Sequence, residues 1–313
     1  MQESIISPAQ GQGGEETTAP QGVSSNQTPR LVSVRDLIGS SFSLYKQYFW
    51  RLIGVQFIQV FVIMGVGALT AFSLVALSLM GSPTAVLWIV IPVILVAGLV
   101  IAMVSLAMIY IFHSGMSVGK ALGSAFKNIF SYSWVAIVAY LAIMGGTLLL
   151  IIPGIVFAVW FAFAIYVFVV EGRKGFGAMM TSKEYIRGYW WDVLGRFLVL
   201  ALLGAAFQML ALLIVLAGGE SLQRLVGALV NLVFTPFVFI YIYLIYKNLK
   251  ELKPQVASSP APEEKKGFFV AAAILGLVAI IIPLILVTSL YPKLGKAPSD
   301  FKYSGLEGLN VPQ

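Results

Sequence analysis

The chain has no cysteine, and His113 is the single histidine in 313 residues. The first absence removes disulfides, thiolate nucleophiles and zinc–thiolate or iron–sulfur sites together. The second excludes a metal site built from two or three imidazoles. Charge is scarce too, at 11% of residues where a soluble domain carries roughly 25%. None of the 13 acids lies at the centre of a long apolar run, and an intramembrane carboxylate is the usual mark of a proton- or sodium-coupled pathway. No nucleophile–base pair can be assembled. The chain therefore reads as a non-enzymatic protein without cofactor or metal.

What is present is apolar. Hydrophobic residues make up 59% of the chain and the mean hydropathy is +0.93, so an all-α polytopic membrane protein is expected. The net charge of +7 would suit nucleic acid in a soluble protein. Here the basic residues flank apolar runs, which points to orientation in a membrane and to no nucleic-acid partner.

One crossing of a core about 30 Å thick takes roughly 20 helical residues. The uncharged run from Asn128 to Val170 is 43 residues long, so it must turn. Pro153-Gly154 is the strong breaker near its middle and is the expected hairpin turn. The run Leu52–Gly119 breaks likewise at Gly81-Ser82-Pro83. Phe197–Gly219 and Leu225–Tyr246 form two more crossings around Glu220 and Arg224, and Gly267–Pro292 forms a seventh. With the N-terminus in the cytoplasm, 16 of the 20 Lys and Arg residues fall on the inner side, as the positive-inside rule requires. The expected organisation is a disordered cytoplasmic tail (1–32), a six-helix membrane domain (33–250) and a cytoplasmic linker (251–266). A seventh helix (267–291) and an extracytoplasmic tail (292–313) complete a multi-pass protein of the cell membrane.

Three segments align: LIGSSFSLYKQYFW (37–50), ALGSAFKNIFSYSW (121–134) and AMMTSKEYIRGYWW (178–191). Tyr48, Tyr132 and Tyr189 coincide, as do Trp50, Trp134 and Trp191, while Ser40, Ser124 and Thr181 match as small hydroxyls. An interfacial helix followed by a transmembrane hairpin, used three times, accounts for this register. The tryptophans then sit at headgroup depth.

The stretch GGTLLLIIPGIVFAVWFAFAIYVFVVEGRKGFGAMMTSKEYIRGYWW (145–191) resembles the signature of the glycerophosphoryl diester phosphodiesterase membrane domain and of YciC-like integral membrane proteins. Glu171, Ser182 and Trp191 stand at the places where that signature has a Glu closing a helix, a small residue in an interfacial segment and a Trp. The resemblance covers roughly residues 33–250. It implies a six-helix membrane module without an established activity. The tails and the seventh helix depart from the family pattern.

Smaller signals complete the reading. Ser33-x-x-Asp36 fits a capping box at the start of the first helix. Lys120, Lys127, Lys183 and Arg187 are candidate contacts for anionic lipid headgroups. Gln208 and Asn231 fall at matching depths on adjacent antiparallel helices, so their amides are expected to meet. Two functions follow: a module that organises membrane lipid or other membrane proteins in the envelope, or a transporter or channel for a small or lipid-like substrate.

Overall fold

The computed structural model describes residues 30–79, 85–260 and 266–294. Among them there is no strand, and nine helical segments follow one another: α1 Val34–Leu79, α2 Ala85–Ser114, α3 Val118–Leu149, α4 Ile151–Phe161, α5 Ala164–Glu171, α6 Phe176–Ile186, α7 Trp190–Leu252, α8 Pro254–Ser258 and α9 Lys266–Leu294. Six stretches are long and apolar enough to cross a membrane: Val34–Ala76, Pro92–Ser114, Val118–Leu149, Ile151–Glu171, Trp190–Leu213 and Val226–Leu252. In α9 the apolar stretch, Gly267–Pro283, is shorter. The chain is a helical, multi-pass membrane protein. The Gly81–Pro83 turn, the segment before Arg30 and the tail after Leu294 lie outside the described residues.

The entry to α1 follows the capping-box expectation. The Ser33 hydroxyl is 2.6 Å from an Asp36 carboxylate oxygen, and the Asp36 N–H donates back to it at 3.2 Å. Further along, α1 runs antiparallel to α2, with the Arg51 guanidinium donating to the Gly115 carbonyl at 2.8 Å.

A straight 63-residue α7 would be about 95 Å long at 1.5 Å per residue. It is not straight. The Tyr241 hydroxyl donates to the Arg196 carbonyl at 3.2 Å, and the Phe207 and Phe234 rings lie 5.3 Å apart. The chain therefore reverses between Phe207 and Phe234, and Trp190–Leu213 and Val226–Leu252 lie side by side as an antiparallel pair. The side chains of Glu220 and Arg224 fall outside the described residues.

The expected Pro153-Gly154 turn is displaced by three residues. The chain turns at Leu150, whose extended backbone (φ −164°, ψ 151°) separates α3 from α4. Pro153 sits in the first turn of α4, where its missing N–H has no intrahelical partner to lose. Gly154 serves proximity: a Cβ there would overlap the Thr147 hydroxyl and come within 2.8 Å of its Cα. Glycine lets α3 and α4 close tightly just below the turn. A second close crossing joins α3 to α9, where a Cβ on Gly145 would overlap the Ala272 carbonyl and one on Gly276 the Leu141 carbonyl.

The interfacial segments also differ from expectation. Residues 37–50 and 121–134 run without a break into the crossings that follow, within α1 and α3. Neither holds a residue that would stop a helix. Only the third is separate, because Arg187 leaves helical geometry and Gly188 takes φ +86°. That third helix, α6, is packed into the bundle. Ala178, Met179, Thr181, Ser182, Tyr185 and Ile186 are all fully buried against the bundle. The aligned positions nevertheless share a burial phase. Leu37, Ala121 and Ala178 are buried, as are Ser41, Ala125 and Ser182, and Tyr45, Ile129 and Ile186, while Trp50, Trp134 and Trp191 are exposed.

Candidate functional site: a polar latch and an apolar groove

At the end of α5 the sequence reads EGRKG. Gly172 takes the left-handed conformation (φ 69°) that closes the helix, and Gly175 (φ 54°) opens α6. Between them the chain folds back far enough for the Arg173 Nε to reach Glu171 Oε2 at 3.1 Å. The Glu171 side chain is only 6% exposed. Its Oε1 accepts from the Tyr185 hydroxyl at 2.7 Å and the Tyr246 hydroxyl at 2.6 Å, with the Lys250 ammonium 3.7 Å away. A carboxylate leaves water at acceptable cost only when paired and hydrogen-bonded, and here both conditions hold. Burial first, and then the Glu171 charge beside it, pushes the Tyr185 phenol well above its ordinary range.

Arg173 carries the same cluster outward. Its guanidinium donates to the Thr181 hydroxyl at 3.0 Å and to the carbonyls of Val256, Ala257 and Ser259 at 3.0, 2.9 and 2.7 Å. These carbonyls end α8, where a cation is favourable. One carboxylate thus ties α5, α6 and α7 together and, through Arg173, the start of the linker to α9.

Next to Thr181, Ser182 repairs a discontinuity. The fourth crossing is interrupted at Ala162-Phe163, between α4 and α5. The Ser182 hydroxyl donates to the Trp160 carbonyl at 2.6 Å and accepts from the Phe163 N–H at 3.2 Å. The Lys183 ammonium lies 5.1 Å from the Trp160 ring centre and 5.3 Å from that of Phe269. At the far end of α6, Lys253 donates to the Glu184 carbonyl at 2.7 Å and to the Arg187 carbonyl. Burial pushes the Lys253 ammonium below its ordinary value.

Between α1 and the two halves of α7 lies a groove of about 530 Å³ with a wholly apolar lining. Ile38, Phe42 and Tyr45 form one wall, Leu203 and Phe207 the second, and Leu229, Val233, Phe234 and Phe237 the third. The wall on α1 is fixed at its base by Val32. Its N–H donates to the Asn248 side chain at 2.9 Å and its carbonyl accepts from Arg196 at 2.7 Å, so both halves of α7 hold it.

The residues singled out from sequence divide accordingly. Trp50, Trp134 and Trp191 are 82%, 59% and 78% exposed, which suits aromatic residues at a membrane boundary. Lys120 and Lys127 are exposed, and Arg187 stands beside Glu184 at 3.6 Å. Lys183 is half-buried, with the Trp160 and Phe269 rings beside its ammonium. Gln208 and Asn231 do not pair. Both are exposed, and the Asn231 amide donates to the Gly227 carbonyl of its own helix at 2.9 Å. The helical rise sets depth and not azimuth, and Gln208 falls to the side of the contacting stripe of Leu200, Leu203, Gly204 and Ala211.

Tyr45, Tyr185, Tyr246 and Arg173 went unrecognised. In a chain this apolar, the signal was a tyrosine among residues that offer it no partner nearby in sequence. Among the described residues no three His, Asp or Glu side chains gather as a metal site would need. Comparison of the chain with protein-family models, with curated proteins and with solved structures returns no match.

Proposed function

We propose that this chain is a non-enzymatic multi-pass membrane protein that organises lipid, and with it partner proteins, in the cell envelope. The observation that carries the reading is the groove between α1 and α7. It opens among membrane-crossing helices and offers no polar lining, so hydrocarbon is the material that fills it. The resemblance of residues 145–191 to the phosphodiesterase membrane domain and YciC-like proteins agrees with a supporting role. The two polar motif residues, Glu171 and Ser182, both face partners within the chain. In the proposed orientation the N-terminus and the latch are cytoplasmic, and α9 carries the C-terminal tail to the other side.

Purification from native membranes, with bound lipid identified by mass spectrometry, tests the reading. A reproducible, stoichiometric lipid is expected; a protein that carries only the bulk lipid mixture overturns it.

One observation favours the transporter reading. The fourth crossing is broken, and discontinuous helices are where transporters place their substrate sites. Here, however, Ser182 pairs with two backbone groups at the break, the Trp160 carbonyl and the Phe163 N–H. Transport measured in proteoliposomes separates the two readings.

A further inference from the structure

Tyr45 forms part of the groove wall, is 6% exposed, and its hydroxyl is buried without a hydrogen-bond partner. A phenol so placed has lost water and gained nothing in exchange, which is costly in an apolar setting. The ring is held edge-on by Phe49 at 5.4 Å and Phe237 at 6.4 Å, so it cannot easily swing out to solvent. One residue on, the Lys46 ammonium lies 4.6 Å from the ring centre of Phe42, another groove residue. From Phe237 to Leu229 the groove follows α7 away from the basic Lys247–Lys250 end of that helix. Read along its length, the groove has an exposed cation beside one end and a wholly apolar channel beyond it, to which Tyr45 contributes ring surface and not its hydroxyl.

We propose that this groove is a binding site for one anionic phospholipid. Its phosphate pairs with Lys46, and the acyl chain runs past the Tyr45 ring and between Phe207 and Val233 toward Leu229. The volume of about 530 Å³ falls within the roughly 300–1,000 Å³ of small-molecule pockets. Neutral lipid lacks the net charge that a cation at the mouth selects, and a soluble anion has nothing to place in the channel. The proposal rests on the lipid-organising reading above and gives it a location and a lipid class.

The test uses the full chain in phosphatidylcholine nanodiscs containing a minor fraction of phosphatidylglycerol with a photoreactive diazirine near the end of one acyl chain. Adducts are mapped by mass spectrometry. They are expected to concentrate on Leu203, Phe207, Leu229 and Val233 rather than on Phe61 and Phe72, which are equally apolar and 71% and 75% exposed on α1. Unlabelled phosphatidylglycerol should compete and phosphatidylcholine should not. Lys46→Gln, at an exposed position, should lower groove labelling about fivefold, the value of one basic residue near an anionic surface. Tyr45→Phe, which removes a hydroxyl with no surface in the groove, should leave it unchanged. Val233→Trp should abolish it by filling the channel.

Equal labelling of the groove and of Phe61 and Phe72 overturns the site. Groove labelling that Lys46→Gln leaves unchanged, or that phosphatidylcholine competes, overturns the anionic assignment. Native mass spectrometry separates the two levels. If wild type and Val233→Trp retain the same lipid, the site falls while the lipid-organising reading stands. If wild type retains none, both fall.

Discussion

Replacing Ser182 with alanine isolates the cost of the break in the fourth crossing. The substitution removes one oxygen and changes almost nothing else in volume. That oxygen donates to the Trp160 carbonyl at 2.6 Å and accepts from the Phe163 N–H at 3.2 Å. Phe163 and Ser182 are both fully buried, so water does not replace it. Leaving a buried polar group unpaired costs about 1–3 kcal/mol, whereas hydrogen bonds measured within bilayers average only about 0.6 and reach about 1.7 kcal/mol. Two bonds on the lower scale give about 1–3 kcal/mol. Alanine recovers about 0.5 kcal/mol of helix propensity in α6. The net loss should therefore be about 0.5–2.5 kcal/mol.

Reversible unfolding in mixed micelles, followed by far-UV circular dichroism, measures this loss. Ser73→Ala is the control, since the Ser73 hydroxyl returns to the Leu69 carbonyl of its own helix at 2.7 Å on an exposed face. It should cost less than about 0.5 kcal/mol. If Ser182→Ala costs no more than Ser73→Ala, the α4–α5 break heals itself by re-forming helix, and the serine is no stitch.

Other parts of the molecule give equally definite outcomes. The Tyr185 phenol has its pKa raised in the folded state above the ordinary 10.0, so its contribution is fully present below pH 10 and declines as pH rises toward the raised value; Tyr185→Phe should flatten that alkaline decline in a stability–pH series, and an unchanged slope refutes the assignment. Gly145→Val must displace α9, because even a Cβ overlaps the Ala272 carbonyl. After cleavage at a protease site placed in the 260–266 linker, the α9 fragment should co-elute with wild type and separate from the variant. Gly276→Val should act alike, and the double variant should be little worse than either alone, since both act on one crossing. Reporter fusions at Asn26 and Asp300 should land on opposite sides of the membrane; the same side for both would remove α9 as a crossing.

How much of this was legible in the sequence depends on which physical quantity each feature needs. The six long crossings were readable because charge placement and run length fix them, and Ser33–Asp36 because a cap is local. The Leu150 turn was missed by three residues for a reason specific to proline: Pro153 is tolerated inside the first helical turn, so it marks the vicinity of a helix start rather than the bend itself. The continuity of α1 is hidden because amphipathic character around Arg35 and Lys46 is the same in a separate interfacial helix and in the first turns of a long one. Nothing between Gly39 and Gly54 breaks the backbone, whereas Gly188 does end α6. The Gln208–Asn231 error is one of azimuth. Almost every residue around both halves of α7 is apolar, so periodicity carries no information about which face meets the partner.

The latch was invisible for another reason, and it bears on what the motif residues do. Glu171 meets Tyr246 75 residues away and Tyr185 14 residues away, a convergence no local pattern encodes. Glu171 and Ser182 look like chemistry when read as a motif, because acids and hydroxyls are what active sites use. In the fold each answers a demand created nearby. Ser182 satisfies the backbone groups freed where the fourth crossing breaks, and Glu171 balances Arg173, which in turn holds the last carbonyls of α8. Both sit where a membrane bundle would otherwise carry unpaired polar groups, which is where polar residues in an apolar chain are most constrained. Tyr45 is the contrasting case. It is as buried as its counterparts, yet its hydroxyl meets no group of the chain, and what it gives the groove is the apolar surface of its ring.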